Sequence, residues 1–340
     1  MTTTLSTDTG ISLSTNIHCV AELLDHAGPH IVLDTMAKQV MMPKNKKKTI
    51  QFRRIVTFSA ATTPLTEGVA PRATQFSYET VNATLKQFGE YVEITDHIED
   101  TAEDPVLRDA TTALGENLGR TREALLYAVV KGGMSVSYAN GTGRGDVNTA
   151  ISANGLRNLA RSLRANKAKP ITRVLSSSQN YETKNVEASY VIFCHTDCMS
   201  DIRNLPGFIQ TADYGKRDLV SDHEFGSWED FRFVASADLT PIADVGAAKG
   251  SMVSTTGTSA DVYPMIAVGQ DAYAAVTLKG TKTSGQNSVS LIINPVGKAG
   301  SSDPLAQKGT VGWKTWFAAL ILNESWMERY EVAVTDLAAA

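Results

Sequence analysis

Cys194-His195-Thr196-Asp197-Cys198 sets two thiols, an imidazole and a carboxylate within five residues. These are donor types that zinc accepts, but a structural site needs about four ligands, usually as two paired knuckles. Here there is one pair, and His18 with Cys19 stands far off in sequence. The stretch reads instead as a strand end entering a helix, with its thiols buried. His195 and Asp197 are also two thirds of a hydrolytic triad. However, no Gly-x-Ser-x-Gly elbow exists to expose a nucleophile, and Ser176, Ser177 and Ser178 have no marked partner. Gly141-Thr142-Gly143-Arg144-Gly145 is glycine-rich in the manner of a phosphate loop, yet it lacks the Gly-Lys-Ser/Thr ending and a preceding strand. Arg144-Gly145-Asp146 spells an adhesion tripeptide, which is common by chance. No His-Glu-x-x-His spacing occurs among the six histidines. We assign no catalytic, metal-binding or cofactor-binding residue.

The strongest charge feature is Lys44 to Arg54, with six basic residues in eleven. Lys46, Lys47 and Lys48 are candidates to face DNA or an acidic neighbouring subunit. Phe52 alone would supply a stacking platform for bases, and a solvated patch reads equally well.

The chain as a whole is not basic. It has 340 residues, with 32 Lys+Arg against 36 Asp+Glu, a formal charge of −4 and 42% hydrophobic residues. That excludes a disordered chain and a dedicated DNA binder held by phosphate neutralisation. Three cysteines make no disulfide framework, which points to a reducing compartment. Met1 to Gly10 has no basic leader. The longest apolar run, Trp316 to Leu322, is far too short to span a bilayer, so no membrane partner is expected.

The elements are uneven in kind. The leading segment to Pro43 suggests short helices at Val20–Leu24 and Ile31–Val40, parted by Gly28-Pro29. Ile50, Phe52, Val56 and Phe58 alternate with polar residues as in a half-buried strand. After a long connection, Tyr78 to Ile94 is a second extended segment. Its apolar phase shifts near Gly89, which predicts a bend there. Two such strands make a ribbon that is marginal alone and wants a neighbour. Asp104-Pro105 opens the best helix, with Leu107, Ala110, Leu114, Leu118, Leu125 and Val129 as its apolar stripe. Gly132-Gly133 stops it.

Beyond it, Met134–Thr149 reads as a loop and Asn154–Asn166 as a helix. Tyr190–Cys194 follows as a strand and Asp197–Leu205 as a short helix. Phe231–Ala235, Tyr263–Val268 and Val289–Ile293 read as strands, with Asp271–Val276 as a helical turn. Gly309–Thr335 is one long strand, or two broken at Asn323-Glu324. Helices, a ribbon and antiparallel strands that do not alternate as strand–helix–strand give an α+β class, not a doubly wound sheet.

The succession Met42-Pro43, Phe52-Arg53-Arg54, Pro64 through Pro71 (PLTEGVAP), Thr84 through Gly89 (TLKQFG), Ile94-Thr95-Asp96, Thr101 through Pro105 (TAEDP) and Asp303 through Lys314 (DPLAQKGTVGWK), then Ile321-Leu322-Asn323, resembles the major capsid proteins of tailed bacteriophages with the Hong Kong 97-type coat fold. The likeness spans about Met42 to Val334. It implies an amino-terminal arm over 1–43 and an extended β-ribbon loop over 44–96. A peripheral domain would cover 97–170 with a spine helix over 104–131, and an axial domain 171–300. Carboxy-terminal strands over 301–340 would return to the peripheral domain's sheet. It also implies hexamers and pentamers of the chain closing an icosahedral head around double-stranded DNA, in a virion made in the host bacterial cytoplasm. Portal, scaffold and decoration proteins would be further partners, the short arm pointing to a separate scaffold. Phe52, Arg53, Arg54, Leu65, Glu67 and Phe76 are the expected contacts between subunits. No Lys–Asn crosslink is assigned. A nanocompartment shell of the same fold around a cargo enzyme is the alternative, and a hydrolase using His195 and Asp197 a third reading.

Overall fold

The computed structural model describes residues 30–45, 47–56, 58–65, 67–68, 73–101, 106–175, 183–280, 289–294, 305 and 307–337. The expectations for Val20–Leu24, Asp104-Pro105, Ser176–Ser178, His18 and Cys19 fall outside them, as does Lys46.

In chain order the elements are α1 (Leu33–Met36), β1 (Lys38–Met42), β2 (Thr49–Ile55), β3 (Tyr78–Thr84), β4 (Lys86–Thr95), α2 (Asp96–Thr101) and α3 (Val106–Lys131). Next come β5 (Val136–Tyr138), α4 (Ala153–Ala165), β6 (Ile171–Leu175), β7 (Thr183–Cys194), α5 (Met199–Arg203) and β8 (Ile209–Gln210). They end with β9 (Glu224–Trp228), β10 (Phe231–Ala235), β11 (Tyr263–Val268), β12 (Tyr273–Leu278), β13 (Val289–Asn294), β14 (Lys308–Ile321) and β15 (Met327–Val332).

Three sheets result. Five strands (β1, β12, β14, β13 and β4) form one, with β14 as its spine. Eight form the second, in the order β5-β15-β11-β7-β10-β9-β8 with β6 on β7. The third is the two-stranded ribbon β2-β3. Pairing is mainly antiparallel. The exceptions among the described strands are the parallel pairs β1·β12, β7·β10 and β5·β15, so the expectation of purely antiparallel strands is corrected to mixed sheets.

The central strands are apolar on every residue because both their faces are covered. In β7, Tyr190, Ile192 and Cys194 face a cluster with Leu156, Leu159 and Leu163 of α4. Val191 and Phe193 face the opposite cluster, with Leu126, Tyr127 and Val130 of α3. That second cluster also takes in Leu33, Tyr273 and Phe317, and so joins the two large sheets. Leu114 and Leu118 of α3 pack with Ile94, Val311 and Trp313 in a third.

Several local expectations are corrected. Only Leu33–Met36 of the segment Ile31–Val40 is helical; Ala37 is extended and the chain becomes strand β1. There Val40 and Met42 cover the cluster of Ala274 and Val276. Asp271–Val276 is strand, not a helical turn. Its alanines favour helix, but Tyr273 and Ala275 are buried on one face and Ala274 and Val276 on the other. The break between ribbon and sheet falls at Leu85, not Gly89. Gly89 lies within β4, where a Cβ would stand 2.6 Å from the Trp313 carbonyl oxygen. Its role is close approach of backbones.

The stripe of α3 also differs. Leu107 is exposed, Leu125 and Val129 are half-buried, and the buried positions include Thr111, Glu123, Leu126 and Val130. The helix meets two sheets and α1, so its buried face winds away from a single stripe. The loop Met134–Thr149 carries β5 and a helical turn at Arg144–Asp146. The carboxy-terminal stretch does break near Asn323, but its halves part company. β14 pairs with β4, β12 and β13, whereas β15 pairs with β11 in the other sheet.

Candidate assembly surfaces

The ribbon is anchored at its root and bare beyond it. Thr49 to Ile55 pair with Thr84 to Tyr78 in antiparallel register. Ala83 and Leu85 are buried against Met42, Ala274, Val276 and Leu320, with Ile50, Phe52 and Val81 packed alongside. The Leu85 N–H donates to the Lys48 carbonyl at 3.0 Å and ties the root shut.

Past Arg53 the apolar residues turn to solvent. Ile55, Val56, Phe58, Phe76 and Tyr78 are exposed, and Leu65 is 77% exposed. Phe76 stacks edge-on against Tyr78 with ring centroids 4.7 Å apart, and Phe58 lies 6.3 Å from Phe76. Aromatic pairs at such spacings hold local shape; they do not cover the rings. An apolar patch of this kind marks an interaction surface.

Of the residues expected at subunit contacts, Leu65, Glu67 and Phe76 are exposed on the connection beyond the strands. Arg53 is exposed and donates to Gln51 Oε1 at 3.2 Å. Arg54 is paired across the ribbon with Glu79. Phe52 differs: it is half-buried against its own chain. A groove of about 270 Å³ runs there between Phe52, Arg54 and Val81 and the body residues Lys169, Leu322 and Trp326. Lys44, Lys47 and Lys48 are exposed at the root.

The helix α3 is held by charged groups that its sequence pattern does not announce. Glu123 is buried and accepts the main-chain N–H groups of Val32 (3.2 Å) and Leu33 (2.9 Å). Burial pushes its carboxyl up to about 8, with the nearby charges of Asp34 and Asp238 adding to the rise. Arg122 pairs with Asp34 at 2.5 Å, and Tyr273 donates its hydroxyl to the Leu33 carbonyl at 2.5 Å. His30 Nδ1 lies 3.0 Å from Asp238. At the far end of α3, Arg329 donates to the Lys131 carbonyl, which suits the negative end of a helix. Glu331, fully buried, receives Arg144 through Nε at 2.8 Å and Nη2 at 2.7 Å. The adhesion-like tripeptide is thus built into the fold, with Asp146 accepting the N–H groups of Thr142 and Gly143.

The Cys–His–Asp stretch is structural in the same way. Cys194 and Cys198 are buried, and burial raises both thiols well above the usual range. His195 Nδ1 accepts the Asp197 N–H at 3.2 Å, and Tyr263 donates its hydroxyl to Asp197 at 2.9 Å. Among the described residues, no three His, Cys, Asp or Glu side chains converge as metal ligands would. No helix among them is long and apolar enough to cross a membrane.

A family model described as phage capsid protein matches residues 78–328, well over half of the chain. The chain belongs to the phage capsid protein family. Among solved structures it is similar to the capsid of Ralstonia phage GP4, at 10% identity over 91% of each chain with a TM-score of 0.65. The cyanophage Pam1 capsid matches at 11% identity, over 91% of this chain and 92% of that one, with a TM-score of 0.59. The SrpI encapsulin complex of Synechococcus elongatus PCC 7942 matches at 10% identity, over 89% and 88%, with a TM-score of 0.53. No curated protein matches the sequence. The α+β capsid fold of the Hong Kong 97 type implied by the sequence is therefore the fold of this family member, with long helix, ribbon and two large sheets as described.

Proposed function

We propose that this phage capsid protein is the major shell subunit of a tailed phage. Hexamers and pentamers of the chain tile an icosahedral head around double-stranded DNA. The observation that carries this reading is the ribbon: its root is buried in its own chain while Ile55, Phe58, Leu65, Phe76 and Tyr78 stand exposed beyond it. Such a surface is stable in water only if a neighbour covers it. In a lattice each copy supplies a ribbon to the next, and symmetry repeats the modest contact many times.

On this reading 1–43 is the arm, 44–96 the extended loop, 97–170 the peripheral domain, 171–300 the axial domain and 301–340 the returning tail, with β15 shared with the axial sheet. The subunit is not an enzyme. Its small negative charge encloses DNA without gripping it. Portal, scaffold and decoration proteins are its further partners, and the virion is its place of action. Particles from the expressed chain that hold DNA within closed shells support this reading. The encapsulin likeness favours one alternative, a nanocompartment. Particles holding a protein cargo and no DNA would establish that instead.

A further inference from the structure

The ribbon root and the entrance to α3 carry opposite charge. Lys44 to Arg54 holds six basic residues and no acidic one, whereas Glu90 to Asp109 holds eight acidic residues and one arginine. Strand β4 keeps the two apart. At one end Lys86 pairs with Phe317, beside the root; at the other Thr95 pairs with Lys308, beside α2 and the first turn of α3. Ten residues of strand separate them by about 30 Å, several times the Debye length of about 8 Å at physiological salt. The two patches therefore do little for each other within one subunit.

Each end also exposes apolar side chains, Phe58 and Phe76 on the ribbon and Tyr91, Ile98 and Leu107 at the other end. Apolar centres with charged rims are how protein interfaces are built. Because the two patches differ, a contact between them is heterologous, and repetition closes a ring.

We propose that copies of this chain meet head to tail through this charge pair, the exposed Lys47, Lys48 and Arg53 of one against Asp96 and Asp109 of the next. The proposal rests on the shell-subunit reading and names the contact that orders the ring. The occupant is a second copy because the chain itself carries the complementary patch at matching distance from its own ribbon.

The test is charge reversal in the full chain, read as the critical concentration for assembly by light scattering and sedimentation. Lys47→Glu with Lys48→Glu, and separately Asp96→Lys with Asp109→Lys, each raise it by at least about tenfold, the effect of placing like charges together. The quadruple variant returns close to wild type. Circular dichroism melts confirm folding, and Asp109→Lys alone serves if the acidic double variant melts early. A quadruple variant no better than either double one overturns the pairing. So does a lysine reversal that leaves assembly unchanged and instead lowers the DNA retained in particles, which would assign the lysines to DNA. Wild-type chain that forms no particles at any salt overturns the shell reading itself, and this contact with it.

Discussion

The Glu123 carboxylate accepts the main-chain N–H of Leu33 at 2.9 Å, across ninety residues of sequence. One buried side chain on α3 thereby fixes where the leading segment enters the fold. Its carboxyl titrates at about 8 rather than the ordinary 4.5. A raised acid binds its proton more tightly folded than unfolded, so stability is full below about 4.5 and falls as pH rises toward 8. Thermal melts from pH 5 to 9 are expected to decline for the wild type. Glu123→Gln, neutral throughout, is expected to decline less, and equal slopes would remove Glu123 as the cause.

Glu331 is buried between Arg144 and Arg329. Glu331→Ala strands those cations at the junction of β15 and α3, which costs on the order of 3–5 kcal/mol when a buried pair is broken. Denaturant titration measures it, and a loss below about 1 kcal/mol would contradict the network.

Gly312 faces the Tyr91 side chain, where an added Cβ would stand 2.7 Å from the tyrosine Cβ. Gly312→Ala must push β4 from β14 and is expected to destabilise by about 1–3 kcal/mol. Gly145→Ala, where no atom lies within 4 Å of the added Cβ, is the control that stays near wild type in the same melt.

Phe76→Asp and Leu65→Asp alter exposed residues of the connection. Their stability is expected to stay within about 0.5 kcal/mol of wild type, while particle yield by sedimentation falls sharply. Wild-type yield from both would show that this surface touches no neighbour.

The legible parts of the fold were those with a local signature. The alternation of Ile50 and Phe52 gave the ribbon, the punctuation at Gly132-Gly133 ended α3, and the apolar runs around Phe193 and Phe233 gave strands buried on both faces. Asp271–Val276 was misread because alanines carry a helix preference that burial on two faces overrides. The polar clasp of Glu123, Arg122 and Asp34 left no trace in the sequence. Charges on a helix look like a solvated face until the partner, here some ninety residues earlier, is folded against them. For the candidate site, exposure of Leu65 and Phe76 followed from a ribbon with no core of its own. The part that Phe52 plays within its own chain did not.

The central claim is that the ribbon reaches a neighbour and makes assembly possible. Negative-stain microscopy of the full chain beside a variant lacking residues 60–76 tests it most directly. The account predicts closed shells from the full chain and only soluble, folded subunits from the deletion. Shells of normal size from the deletion would contradict it.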